Sequence, residues 1–200
     1  MRLCGKTARV VAAARCPSLF GHPFVLLPAT LTLALLRRVP PARLILIVAT
    51  FLLAIVLPLV VLIWRNVARG KWSDTDVSDK AQRPQLYLAS IAVLVCSIAV
   101  FWILRLPRPV IVGSVISLLL LVVTKGITAR SKLSMHSMFA AFCSLILLAV
   151  NAGFSFAFVV VLIAVGWSRI TLRRHTIGQV ALGAFAGAVA GATFLLLTKH

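Results

Sequence analysis

The sequence predicts an all-α, polytopic membrane protein: a helical bundle of six or seven spans with a polar site at one membrane face. Three observations carry that expectation. The 200 residues are 62% hydrophobic and only 12% charged, with a mean hydropathy of +1.09. A soluble domain carries roughly twice that charged fraction, at about 25%, to cover its core, so this composition excludes one. The apolar residues come in long runs, and the charges collect in short segments between them.

Taken in order, the N-terminal stretch MRLCGKTARVVAAARCPSLF is basic and acid-free. It shows no compact apolar region followed by a small-residue cleavage site, so residues 1–17 read as a basic, partly helical tail lying on a membrane surface. Residues 18–200 then form the transmembrane domain, whose apolar segments are 18–36, 44–64, 86–104, 110–124, 137–150, 154–167 and 177–197. The second, third and last approach the ~20 residues that a helix needs to cross a ~30 Å hydrocarbon layer. The first contains His22, Pro23 and Pro28, which suggests a kinked or re-entrant segment. Asn151-Ala152-Gly153 reads as a tight turn between two antiparallel helices, because one straight helix over 137–167 would run far past the bilayer. Trp64 and Trp167 end their runs beside basic loops, as interfacial aromatics do. Gly183, Gly187 and Gly191 give the last helix a face that another helix can approach closely.

Charge points to the partner. There are 21 Lys and Arg against three acids, Asp74, Asp76 and Asp79, for a net charge of +18. Such a balance calls for an anion, and its spread between apolar runs favours lipid headgroups or a phosphorylated substrate over nucleic acid. The four cysteines show no ligand or disulfide spacing. Three polar, cationic loops, 65–85, 125–137 and 168–179, are separated by two spans each, so all three return to the same face. With the N-terminal tail, that face holds fifteen of the 21 Lys and Arg, which makes it cytoplasmic by the positive-inside rule.

The third loop, SRITLRRHTIGQ, raises the chemical question. Arginine near the bilayer centre costs about 2.5–3.5 kcal/mol on insertion scales, so Arg169, Arg173 and Arg174 belong at the interface or in a polar cavity. Headgroup anchoring would account for Arg173 and Arg174. It does not account for His136 and His175, each at or just before a helix start and beside Lys132 and Arg169 respectively. A helix N-terminus attracts anions. Two imidazoles among cations suit phosphoryl transfer: cations hold the phosphate oxygens, one imidazole attacks phosphorus, and the other protonates the leaving oxygen. His22 and His200 read as packing or incidental residues.

At these residues the chain resembles the type 2 phosphatidic acid phosphatase superfamily of membrane lipid phosphatases, whose motifs are KxxxxxxRP, PSGH and SRxxxxxHxxxD. The third appears as SRITLRRHTIGQ, with Ser168, Arg169 and His175 in place; the second as LSMH, with Ser134 and His136; and the first ends at Arg83-Pro84. The resemblance covers residues 65–190. It implies His175 as nucleophile through a phosphohistidine, His136 as general acid, Arg83 and Arg169 on the phosphate, and Ser134 completing the cradle. It implies no metal or other cofactor, a lipid phosphate or diphosphate as substrate with membrane lipids as surroundings, and a multi-pass protein of the kind found in a bacterial inner membrane. A phosphotransferase is the nearest enzymatic alternative, and an inactive anionic-lipid-binding protein is the alternative from another class.

Three departures from the pattern matter. Asp76 stands where the family has lysine, which leaves Lys71, Lys80 or Lys132 to supply that cation. LSMH lacks the glycine that lets backbone approach a phosphate. Gln179 replaces the aspartate that orients the nucleophile; four residues after His175, its carbonyl oxygen is one helical turn away and able to accept from the imidazole. The acids of the first loop, Asp76 and Asp79 among them, are expected to neutralise or orient the site's cations. The competing reading is a turn-forming connector, with a Mg2+ site the least favoured use.

Overall fold

The computed structural model describes residues 13, 14, 16–75, 77, 79, 81–128 and 133–199 and shows helices and turns with no strand among them. The chain divides into two compact units, one built from the residues up to Ala34 together with Arg130–Lys199, the other from Leu35–Ala129.

In the first unit, helix α1 is Pro23–Leu35, and three further helices follow the 129–134 segment. We number the second unit's helices α2 to α5, so these three are α6 (Met135–Leu148), α7 (Ala152–Thr171) and α8 (Ile177–Thr198). The turn expected at Asn151 is present. Asn151 caps α7, its Oδ1 accepting from the Gly153 and Phe154 amides at 2.8 and 3.3 Å, so 137–167 is two helices.

Helix α6 is the centre of this unit. At 14 residues it is about 21 Å long, too short to cross a bilayer unaided, and nearly every residue from His136 to Leu147 is buried. An apolar helix buried all round needs neighbours on every side. Leu26 of α1 packs on Ala140 and Cys143, with Phe158, Val161 and Leu162 of α7 closing around them. On another face α8 comes in along its glycines. A Cβ at Gly183 would meet the Ser134 carbonyl, at Gly187 the Met138 carbonyl, and at Gly191 the Leu145 side chain. Both series rise together, so α6 and α8 run parallel, with α7 returning between them. The N-termini of α6 and α8 therefore share an end with the C-terminus of α7, as the loop parity predicts for residues 125–137 and 168–179.

Residues 1–12 and 15 of the stretch expected to be a surface tail lie outside the described residues. Residues 16–20 are helical, Ala14 is fully buried, and its carbonyl accepts from the Ser168 hydroxyl at the end of α7. The chain then breaks at Gly21-His22 before Pro23 opens α1, with the His22 Nδ1 accepting from the Phe24 amide at 3.2 Å. Gly21 sits there because a Cβ would overlap Val165.

The second unit begins with one continuous helical stretch, Pro41–Ala68, of 28 residues. It comprises α2 (Pro41–Phe51), a π-turn at Leu52–Val56 and α3 (Leu57–Ala68). Pro58 explains the π-turn: it donates no hydrogen bond to the Ala54 carbonyl four residues back, and its ring needs room there. The Ser97 hydroxyl donates to that carbonyl at 2.9 Å instead. Ser97 lies on α4 (Arg83–Ile103), which pairs with α5 (Arg108–Thr128).

Among the described residues, five helices are long and apolar enough to cross a membrane: Pro41–Ala68, Arg83–Ile103, Arg108–Gly126, Ala152–Thr171 and Ile177–Thr198. The remaining apolar helices, α1 and α6, are shorter. The protein is thus all-helical and of the multi-pass membrane class.

The glycine seam is testable. Gly187→Ala places a methyl against backbone that cannot yield like a side chain, so it should destabilise by about 1–3 kcal/mol. Gly126→Ala, on α5 with nothing within 4 Å, should be neutral or stabilising by about 0.5–1 kcal/mol. Thermal unfolding of both variants in one detergent checks this; equal midpoints would remove the seam's role.

Candidate functional site

The shared end of α6, α7 and α8 gathers Ser134, His136, Arg169, His175 and Gln179, half of the residues expected to carry chemistry. It is built from three chain reversals, each with an identifiable cause.

The first is the end of α7. Arg173 adopts φ 53°, and the Arg173 and Arg174 amides donate back to the Ile170 and Arg169 carbonyls at 2.9 and 3.0 Å. This is the Schellman closure, which usually places glycine at the left-handed position. A non-glycine residue there costs on the order of 1 kcal/mol, partly offset by a cation's attraction to the helix C-terminus. The His175 amide also donates to the Arg169 carbonyl, at 3.2 Å. The six-residue step from Arg169 to His175 is therefore a wrapped helix end that ties the histidine's backbone to the arginine's.

The second reversal starts α8. Thr176 is its N-cap, with a capping box: Thr176 Oγ1 accepts from the Gln179 amide and Gln179 Oε1 accepts from the Thr176 amide, both at 3.3 Å. Gln179 Oε1 also lies 3.2 Å from His175 Nδ1. A backbone N–H can only donate, so the amide oxygen must face it, and this settles which end of the Gln179 amide meets the imidazole. His175 Nδ1 therefore carries a proton toward Gln179, and in the neutral ring the lone pair is on Nε2.

The third starts α6. Ser134, fully buried, is the N-cap; its Oγ accepts from the Ser137 amide at 3.4 Å and lies 3.0 Å from the Ser137 hydroxyl. Its own amide donates to the Gln179 carbonyl at 3.2 Å. That single bond joins the α6 start, two residues before His136, to the residue that holds His175.

Arg169 is 2% exposed, and its Nη1 donates to the Ser18 hydroxyl of the N-terminal segment at 2.9 Å. His136 is buried on the first turn of α6, its ring edge-on to that of His22 at 5.0 Å between centroids. Ser18 and His22 were not legible from local pattern, because nothing nearby in sequence announces a contact more than a hundred residues away. Thr176 was legible in principle, since T-x-x-Q is a capping signature.

Arg83, Lys71 and Asp79 belong to the second unit. Arg83 is buried at the start of α4, and its Nε donates to the Val77 carbonyl at 3.2 Å. Lys71 is exposed, and its amide closes the C-terminal turn of α3 on the Asn66 carbonyl at 2.9 Å. Asp79 is also exposed and is spent on its own turn, accepting from the Ala81 amide at 3.0 Å and the Gln82 side chain at 3.3 Å. That is the use the turn-forming reading predicts. Lys132, Asp76 and Lys80 lie outside the described residues.

The fold defines an all-helical, multi-pass membrane protein with a paired-histidine end. No protein-family model, no curated protein and no solved structure matches the chain.

The tautomer is open to direct measurement. Nitrogen NMR of histidine-labelled protein should place the proton of His175 on Nδ1, the less common neutral form. Gln179→Ala should return it to Nε2; a wild-type protein already protonated on Nε2 would contradict the capping-box geometry.

Proposed function

We propose that this chain is a membrane phosphatase that removes phosphate from a lipid phosphate or diphosphate through a phosphohistidine on His175. The observation that carries the reading is His175 at the end where two helix N-termini meet, its backbone amide tied to the Arg169 carbonyl and its imidazole Nδ1 held by Gln179, which in the neutral ring leaves the lone pair on Nε2. The motif resemblance supports the choice of reaction.

In this mechanism Nε2 attacks phosphorus and the bond from phosphorus to the lipid oxygen breaks. His136 gives its proton to the departing oxygen. A water, losing a proton to His136, then attacks the phosphohistidine, releasing phosphate and restoring the Nε2 lone pair. Arg169 and the N-termini of α6 and α8 stabilise the charge on the equatorial oxygens. The Gln179 amide oxygen holds the ring but stabilises its developing positive charge less than a carboxylate would. Arg83 enters the reading through the motif order, and the resemblance implies no metal. The substrate class includes phosphatidic acid, phosphatidylglycerol phosphate and polyprenyl phosphates or diphosphates. In the same reading the short helices α1 and α6 also lie at membrane depth, giving six or seven passes, with the site on the cation-rich, cytoplasmic face.

One observation favours a second reading, an inactive anionic-lipid binder: Arg169 already donates to Ser18. The two readings separate in one assay. Phosphate release in detergent with EDTA, from a panel of lipid phosphates and diphosphates, should occur with wild type, fall to background in His175→Ala, and drop about 10²–10⁴-fold in His136→Ala. Folded protein that releases nothing from any lipid would leave only the binding reading. Transfer to an added alcohol in preference to water would identify a phosphotransferase.

A further inference from the structure

The second unit distributes its charge unevenly between its two ends. Helices α2 and α4 run antiparallel: Phe51 stacks on Phe101 at 6.3 Å between ring centroids, and Ala54, further along the first stretch, accepts from Ser97, further back on the second. The start of α2, the end of α4 and the start of α5 therefore share one end of the unit. Arg37, Arg43, Arg105 and Arg108 lie at that end, and all four are exposed. The chain's three acids fall in the sequence between α3 and α4. That connection starts at the far end of a 28-residue helical stretch, about 42 Å from Pro41.

Three of the four arginines stand where the fold itself gains nothing from them. Arg43 and Arg108 occupy the first turns of α2 and α5, where the positive end of a helix disfavours a cation, and neither turn holds an acid. Arg105 closes α4 at φ 51°, with its amide donating to the Trp102 carbonyl at 3.1 Å and the Leu106 amide to the Phe101 carbonyl at 2.9 Å. Glycine takes that position without strain, and arginine does not. An anion supplied from outside the chain reverses this balance. The neighbouring surface identifies its source. Ile45, Trp102 and Ile103 are 69%, 70% and 75% exposed. Cations beside an exposed indole and aliphatic side chains suit the boundary between lipid headgroups and hydrocarbon. A free anion in water would leave that apolar surface uncovered.

We propose that this end of the second unit is a binding surface for anionic lipid headgroups, with Arg37, Arg43, Arg105 and Arg108 facing the lipid phosphates while Trp102 and Ile103 sit among the upper acyl chains. The inference rests on the multi-pass fold and is independent of the phosphatase reading, since these lipids are bound and not consumed.

Arg43→Gln/Arg108→Gln tests it in nanodiscs of phosphatidylcholine with increasing phosphatidylglycerol, a phosphodiester that the proposed hydrolysis does not use. In pure phosphatidylcholine the variant should unfold at the wild-type temperature or slightly higher, because two cations have left helix N-termini. As phosphatidylglycerol is added, wild type should gain stability, and the variant should need at least about fivefold more of it for the same rise. High salt should shrink the wild-type rise. Arg65→Gln/Arg69→Gln, at the exposed C-terminal end of α3 beside the acid-bearing connection, should retain it. The proposal is overturned by no rise in wild type, by a rise indifferent to salt, or by equal rises in wild type and the Arg43/Arg108 variant. An equal loss in the Arg65/Arg69 variant, or an Arg43/Arg108 variant destabilised in pure phosphatidylcholine, overturns it too.

Discussion

The close approach of α6 and α8 is the constraint on which the histidine end depends. Helix backbones come this near only where one of them carries no side chains, and Gly183, Gly187 and Gly191 clear that path along α6. With the seam closed, the Ser134 amide reaches the Gln179 carbonyl, and the starts of two parallel helices are fixed side by side. Position is what this arrangement supplies. Two imidazoles, a buried arginine and two helix N-termini are thereby brought to one end of the unit, which is where the proposed phosphoryl transfer would need them.

Polar groups at this end also serve the fold. A helix end inside an apolar bundle leaves several N–H or C=O groups to be satisfied. Ser134 and Thr176 cap α6 and α8 at this end, Asn151 caps α7 at the other, and the Arg169 carbonyl takes the Arg174 and His175 amides of the reversing chain. Gln179 has a double duty, closing its own helix start and fixing the imidazole before it. An aspartate there would also accept from the imidazole, and with a full negative charge; the glutamine gives the same tautomer with less stabilisation of a cationic ring. Ser18 and His22 join the same end through Arg169 and His136.

Much of the helix plan was legible in the sequence because hydrocarbon thickness sets run length, and the Asn151 turn followed from the same arithmetic. The glycine spacing announced a close helix contact without naming its partner. The Ser168, Arg169 and His175 spacing was readable because a helix end, a Schellman turn and a new cap use a fixed number of residues. The i, i+4 relation of His175 and Gln179 likewise gave their contact. The run at 137–150 read as a short span; that α6 is shielded on all sides depends on neighbours that no local pattern shows. His22 read as packing for a similar reason: its contact with His136 exists only after α1 and α6 are brought together. Asp79, an acid that drew attention among many cations, accepts hydrogen bonds within its own turn, as a turn-forming connector would.

The most direct measurement is to quench the protein in alkali during turnover of a phosphorus-labelled lipid phosphate and locate the label by peptide mapping and phosphorus NMR. The tautomer held by Gln179 predicts a single phosphorylated residue, His175, carrying the phosphoryl group on Nε2. Label on Nδ1 of His175, or on any other residue, or steady phosphate release with no trapped phosphohistidine, would contradict it.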